Sequence, residues 1–164
     1  VSPITTHLPL KHVAKNITKE KIINNVKKIK KFYKNFRNKK PKIAVLGLNP
    51  HCETIDNFSE EKKIIIPAIN ALKRINFNIE GPFSADTFFL KKNINKYDVV
   101  VGMYHDQVLT PIKTLYNFNA INITLGLPFI RISPDHGPNE LMLGKNKSDP
   151  SSIFCAMKFI NKIR

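Results

Sequence analysis

Apolar positions along the chain follow two patterns, short β-branched runs and repeats at three- and four-residue spacing. Ile22, Val26, Ile29, Tyr33 and Phe36 mark one face of a helix that Asn16 or Thr18 is placed to cap. The lysines between them read as its solvated side. Residues 42–46 form a buried strand, and a polar loop over 52–59 leads to a helix over 60–75. Pro67 should kink that helix or mark a new start. Residues 78–82 predict a short strand, with Ser84 placed to cap a short helix.

The run Tyr97-Asp98-Val99-Val100-Val101 is a further buried strand, and residues 108–116 a helix carrying Lys113. Residues 120–124 and 129–133 read as strands, separated by the turn Gly126-Leu127-Pro128. A long loop rich in turn residues covers 135–150. The last helix, 151–160, should pack Ile153, Phe154, Met157 and Ile160, with Cys155 and Ala156 also in the core. Residues 1–10 show only a polar tip and a Pro-bounded turn. Without an internal repeat or low-complexity linker, residues 1–164 read as a single α/β unit. Strands alternating with helices predict a layered, mostly parallel sheet.

Composition narrows the function classes. At 164 residues and 42% hydrophobic content there is room for one α/β domain with a core, or two very small ones. No apolar run approaches the roughly 20 residues needed to span a bilayer. Pro3 and His7 interrupt any secretory core, and a start at Val1 is compatible with a fragment or processed product. Cys52 and Cys155 follow no disulfide or zinc-finger spacing, so a reducing cytoplasm is expected. The net charge of +15 comes from 27 Lys and Arg against 12 Asp and Glu. Much of the surplus lies over residues 19–42 without interleaved stacking residues. No dedicated nucleic-acid or membrane partner is therefore expected, while an anionic substrate suits the charge.

Two of the strands end in ligand-capable clusters, Gly47-Leu48-Asn49-Pro50-His51 and Tyr104-His105-Asp106-Gln107. Ligands of open α/β sheets sit beyond the carboxyl ends of the strands. His7 stands in a third polar tip. Three imidazoles suit zinc and leave a position for substrate. Their spacing forms no local metal motif, so three unrelated loop histidines is the competing reading. Asp86 and Asp106 are each a candidate carboxylate behind a ligand histidine; Asp86 is also a candidate proton acceptor or helix cap. No Gly-x-Gly-x-x-Gly fingerprint occurs.

Six ordered segments carry a resemblance: residues 5–10, 47–51, 81–87, 103–107, 122–131 and 135–137, reading TTHLPL, GLNPH, GPFSADT, MYHDQ, NITLGLPFIR and DHG. Together they resemble the 4-hydroxythreonine-4-phosphate dehydrogenase family of pyridoxal phosphate biosynthesis, over about the second half of that family's usual length. The resemblance implies an isocitrate/isopropylmalate dehydrogenase-like fold. It implies His7, His51 and His105 as ligands of a divalent metal, zinc first, with magnesium or cobalt as alternatives. Lys113, Asn122 and Arg131 match substrate-contacting positions. It further implies a homodimer whose metal site is completed across the subunit interface. The implied reaction is NAD-dependent oxidation of 4-phosphohydroxy-L-threonine and decarboxylation to 3-amino-2-oxopropyl phosphate.

The loop from His136 and Gly137 through Gly144 to Pro150 resembles the adenine-side NAD loop of the wider fold, although Pro138 and Leu141-Met142-Leu143 depart from its small residues. Cys52-Glu53-Thr54-Ile55-Asp56 replaces the Gly- and Ala-containing loop usual after the second histidine. Related dehydrogenases of threonate or erythronate phosphate share these motifs. A non-catalytic metal-binding module is the alternative from another class.

Overall fold

A computed structural model describes residues 1–53, 58–137 and 140–163. The chain divides into two compact units, Val1–Pro111 and Ile112–Arg164. The sequence offers no such boundary, because it falls at Pro111 inside a helix rather than in a linker.

The first unit contains β1 (Ser2–Thr5), α1 (Leu10–Asn16), α2 (Lys19–Arg37), β2 (Ile43–Leu46), α3 (Ile66–Arg74), β3 (Ile79–Phe83), α4 (Ala85–Phe88), α5 (Lys91–Ile94) and β4 (Val99–Tyr104). It also holds the start of α6 (His105–Tyr116). The four strands form one parallel sheet in the order β1-β4-β2-β3, the layered parallel α/β class read from the sequence. β4 and β2 are central, and residues 99–103 and 43–46 are buried without alternation. Such burial on both faces marks a parallel sheet covered by helices.

One face holds Ala44, Leu46 and Val100 against Phe88 and Val108, with Phe83, Phe89, Ile94 and Tyr97 around them. The alternate residues Ile43, Val45, Val101 and Met103 turn to the other face. There α2 lies beside β1, and α3 beside α2 and β3. A side chain at Gly102 would run into Val108, so only glycine lets α6 fold back this closely.

Thr18 caps α2 by accepting a hydrogen bond from the Lys21 amide at 3.2 Å, settling the choice the sequence leaves with Asn16. Asn38 closes the helix in the left-handed conformation at φ 44°. Pro67 marks a change of helix type, since a π-helical turn over Glu61–Ile65 precedes α3. β1 is the strand the pattern misses. It is a four-residue edge strand in which Pro3 is tolerated because the sheet ends there.

Asp98 fastens the start of the two central strands. Its carboxylate accepts the Lys42 amide at 2.9 Å and meets the Lys39 ammonium at 2.6 Å. Partial burial raises its pKa, but these donors outweigh burial and hold it below the usual carboxylate range. A depressed folded pKa stabilises above the unfolded value near 4 and is lost as pH falls through the folded value. Asp98→Asn should therefore cost on the order of 1 kcal/mol at pH 7. The gap between parent and variant should close below about pH 4, as read from urea melts across pH.

The second unit continues α6 and adds β5 (Ile121–Thr124), β6 (Arg131–Pro134) and α7 (Ser151–Lys162). β5 and β6 form an antiparallel ribbon, an exception to the parallel expectation. α7 packs on both strands but not through the predicted stripe. Ser152 and Ala156 are its buried residues, while Ile153, Phe154 and Met157 are exposed. The Ser152 hydroxyl explains part of this inversion, donating to the Ala120 carbonyl at 2.6 Å and accepting the Asp135 amide at 3.1 Å. Cys155 is half-buried rather than core. Among the described residues no helix is long and apolar enough to cross a membrane.

Candidate active site

Parallel pairing brings two of the three histidines together. Thr5 is in register with Tyr104, so β1 and β4 end at the same level of the sheet. The buried Thr5 hydroxyl donates to the Met103 carbonyl at 2.8 Å and ties the two ends. His7 leaves β1 in the left-handed region at φ 52°, and His105 begins α6 directly after β4. Their ring centroids lie 5.6 Å apart, tilted by 47°. They border a cavity of about 160 Å³ with Leu8, Leu10, Tyr104 and Asp106.

The third histidine sits on the other central strand's exit. His51 lies in a single 3₁₀ turn, Pro50–Cys52, with φ 55° and ψ 16°. Its Nδ1 faces the Asp86 carboxylate at 3.7 Å. Among the described residues, no three His, Cys, Asp or Glu side chains converge to hold a metal ion. The structure therefore pairs His7 with His105 and leaves His51 with Asp86.

The donor chemistry nonetheless fits a metal. Asp106 Oδ1 lies 2.6 Å from His105 Nδ1, and a carboxylate there favours the Nδ1–H tautomer. Nε2 is left with its lone pair, the carboxylate–histidine arrangement found behind metal ligands. Asp86 faces His51 on the same ring nitrogen, and its Oδ1 also accepts the Thr87 amide at 2.8 Å. Both readings of Asp86 thus have a contact. Cys52 adds no thiolate, because burial and then the Glu61 charge push its pKa up.

Two residues that sequence reasoning did not single out hold this edge together. Gln107, grouped with the ligand-capable side chains, is a staple: its Oε1 accepts the Met103 amide and its Nε2 donates to the Gly47 carbonyl, both at 2.7 Å. It links the exit carrying His105 to the loop carrying His51. Glu61 is fully buried and accepts from the loop's own amides. Burial raises its pKa, yet the Asn49 and Leu48 donors leave it below the usual carboxylate range. An acidic residue in a first helical turn reads as a dipole partner, so only the fold reveals its target.

In the second unit Asn122 pairs with Ser133 and Thr124 with Arg131, so all four side chains share one face of the ribbon. Arg131 donates to the Thr124 hydroxyl at 2.9 Å. Lys113 ion-pairs with the Asp135 carboxylate at 3.1 Å and donates to the Asp135 carbonyl. The His136 ring stands edge-on to Phe118 at 6.4 Å, and the space around Gly137 is open. Pro138, and with it part of the proposed adenine-side loop, lies outside the described residues, as do Thr54, Ile55 and Asp56.

A family model described as pyridoxal phosphate biosynthetic protein PdxA matches residues 1–160. The chain belongs to the PdxA family. It is 50% identical over 160 residues to a 4-hydroxythreonine-4-phosphate dehydrogenase of Sulfurihydrogenibium sp. (strain YO3AOP1), covering 96% of this chain and 49% of that protein. A Bradyrhizobium diazoefficiens protein of the same description is 40% identical over 165 residues, covering 99% and 48%. The crystal structure of a 4-hydroxythreonine-4-phosphate dehydrogenase from Burkholderia phymatum matches with a TM-score of 0.81 at 31% identity. That match covers 98% of this chain and 49% of the other. The chain spans about half the length of the PdxA relatives it matches.

Proposed function

We propose that this chain supplies metal-binding and substrate-anchoring residues for NAD-dependent oxidation of 4-phosphohydroxy-L-threonine, with decarboxylation to 3-amino-2-oxopropyl phosphate. The observation that carries this reading is the His7–His105 pair at the carboxyl edge of the sheet, with Asp106 behind the second ring. His7, His51 and His105 would hold the metal, with a second copy of the chain completing the set in a homodimer. A bound divalent cation, zinc before magnesium or cobalt, supplies Lewis acidity toward a hydroxyl and a ketone.

The remaining work falls to the chain's own side chains. Arg131 offers a planar fork to phosphate or carboxylate, and Lys113 a point charge. Asn122, on the same ribbon face as Arg131, orients a polar substrate group. Asp86 holds the His51 ring or takes a proton near it. His136 and Gly137 form part of the NAD site, where an open glycine lets a flat ring approach. A reducing cytoplasm agrees with the free thiols of Cys52 and Cys155.

The half-length of the chain relative to its relatives favours one second reading, a metal-binding module without catalysis. NADH formation separates the readings, measured with zinc and NAD on 4-phosphohydroxy-L-threonine, threonate 4-phosphate and erythronate 4-phosphate. The assay is run on this chain and on the polypeptide of its whole reading frame. NADH formation with the first substrate at least about tenfold faster than with the others is expected, since a missing polar partner in a site costs that much or more. Equal or reversed rates would replace the substrate, and zinc binding without NADH in either polypeptide would leave the module.

A further inference from the structure

Glu61 is 1% exposed, and among the described residues it forms no ion pair. A charge buried this way is retained only where fixed donors replace its water. Those donors come from the loop leaving β2. Oε1 accepts the consecutive amides of Leu48 and Asn49 at 2.7 and 2.8 Å. Oε2 accepts the Asn49 side-chain amide at 2.9 Å and the buried Ser59 hydroxyl at 3.1 Å. The same Asn49 amide donates to Glu60 at 2.9 Å.

The clamp sits two residues before His51. Two consecutive N–H groups aimed at one oxygen fix the peptides on both sides of Leu48. Pro50 then fixes the next φ, and the chain enters the left-handed region at both His51 (55°) and Cys52 (61°). Successive non-glycine residues in that region persist only where their surroundings over-determine them. The space is correspondingly tight, since a Cβ on Gly47 would lie 2.7 Å from Cys52 Sγ and 3.1 Å from Glu61 Oε1. From the opposite side Gln107 holds the Gly47 carbonyl.

We propose that Glu61 is a positioning residue, whose buried carboxylate grips the Leu48 and Asn49 amides and thereby sets the turn that presents His51. What His51 is presented to rests on the metal reading above; how it is held does not. A glutamine in place of Glu61 keeps one acceptor for the two amides. Its NH₂ would meet the Asn49 NH₂, donor against donor.

The test uses Glu61→Gln and, in case that core change unfolds the protein, Asn49→Ala, which removes one donor from the side that is not fully buried. Amide hydrogen exchange is read at Leu48 and Asn49 and along residues 99–104, and zinc affinity by calorimetry. Both variants should speed exchange at Leu48 and Asn49 by about tenfold or more and leave residues 99–104 unchanged. Zinc affinity should fall about 10- to 100-fold, the usual effect of losing a group that holds a metal ligand. Unchanged exchange at Leu48 and Asn49 in both variants would overturn the proposal, as would acceleration that is uniform across β4. Should the parent bind no zinc, the metal reading falls, and the exchange rates alone decide the role of Glu61.

Discussion

Replacing His105 by alanine is expected to weaken zinc binding by about 100-fold or more, because one of three neutral imidazole donors is removed outright. Among the three histidines, His105 has the most prepared geometry. β4 delivers it to the sheet edge, Asp106 orients its ring, and the His7 ring lies 5.6 Å away. The substitution leaves the fold in place, since the side chain is 40% exposed and its lost contact is with a solvent-facing carboxylate. His12 is the control: it is exposed on α1 and absent from the cavity, so His12→Ala should bind zinc as the parent does. Calorimetric titration with zinc reads both variants. Parent-like affinity in His105→Ala would remove the metal assignment, and an equal loss in His12→Ala would reduce it to adventitious binding by surface histidines.

What the sequence made legible follows from how local each signal is. The β-branched run before His105 and the strand before His51 stand out because central parallel strands are apolar on both faces, and both are central. β1 stayed hidden because four residues with a proline carry no periodicity, although its register with β4 is what places His7 beside His105. The helix expected from residue 108 begins at His105, since Gln107 satisfies the Met103 amide from within the first turn. Glu61 was unreadable for a different reason. Its partners are backbone amides 12 and 13 residues away, and backbone donors leave no mark in a sequence. Motif order carries the family, whereas the Lys113–Asp135 and Arg131–Thr124 contacts appear only once the ribbon is formed.

Leu46→Ala should destabilise the first unit by about 3 kcal/mol, within the range of roughly 2–5 for such truncations in packed cores. That is a large share of the roughly 5–15 kcal/mol typical of a domain. Leu46 is fully buried at the end of β2, in one cluster with Phe88, Val100 and Val108. The cavity left behind would open directly beneath Gly47, where the His51 loop begins. The stripe on α7 offers the contrast. Periodicity alone ranks Phe154 with Leu46 as core, yet its side chain is 54% exposed. Phe154→Ala should consequently cost less than about 1 kcal/mol in the second unit. Tyr33, Tyr97 and Tyr104 lie in the first unit and no tryptophan is present, so tyrosine fluorescence in urea follows chiefly that unit. Hydrogen exchange along α7 follows the other. A cost at Phe154 equal to that at Leu46 would mean that α7 buries its periodic stripe after all. A negligible cost at Leu46 would mean that the sheet edge beneath the histidines is not held by the core packing described for it.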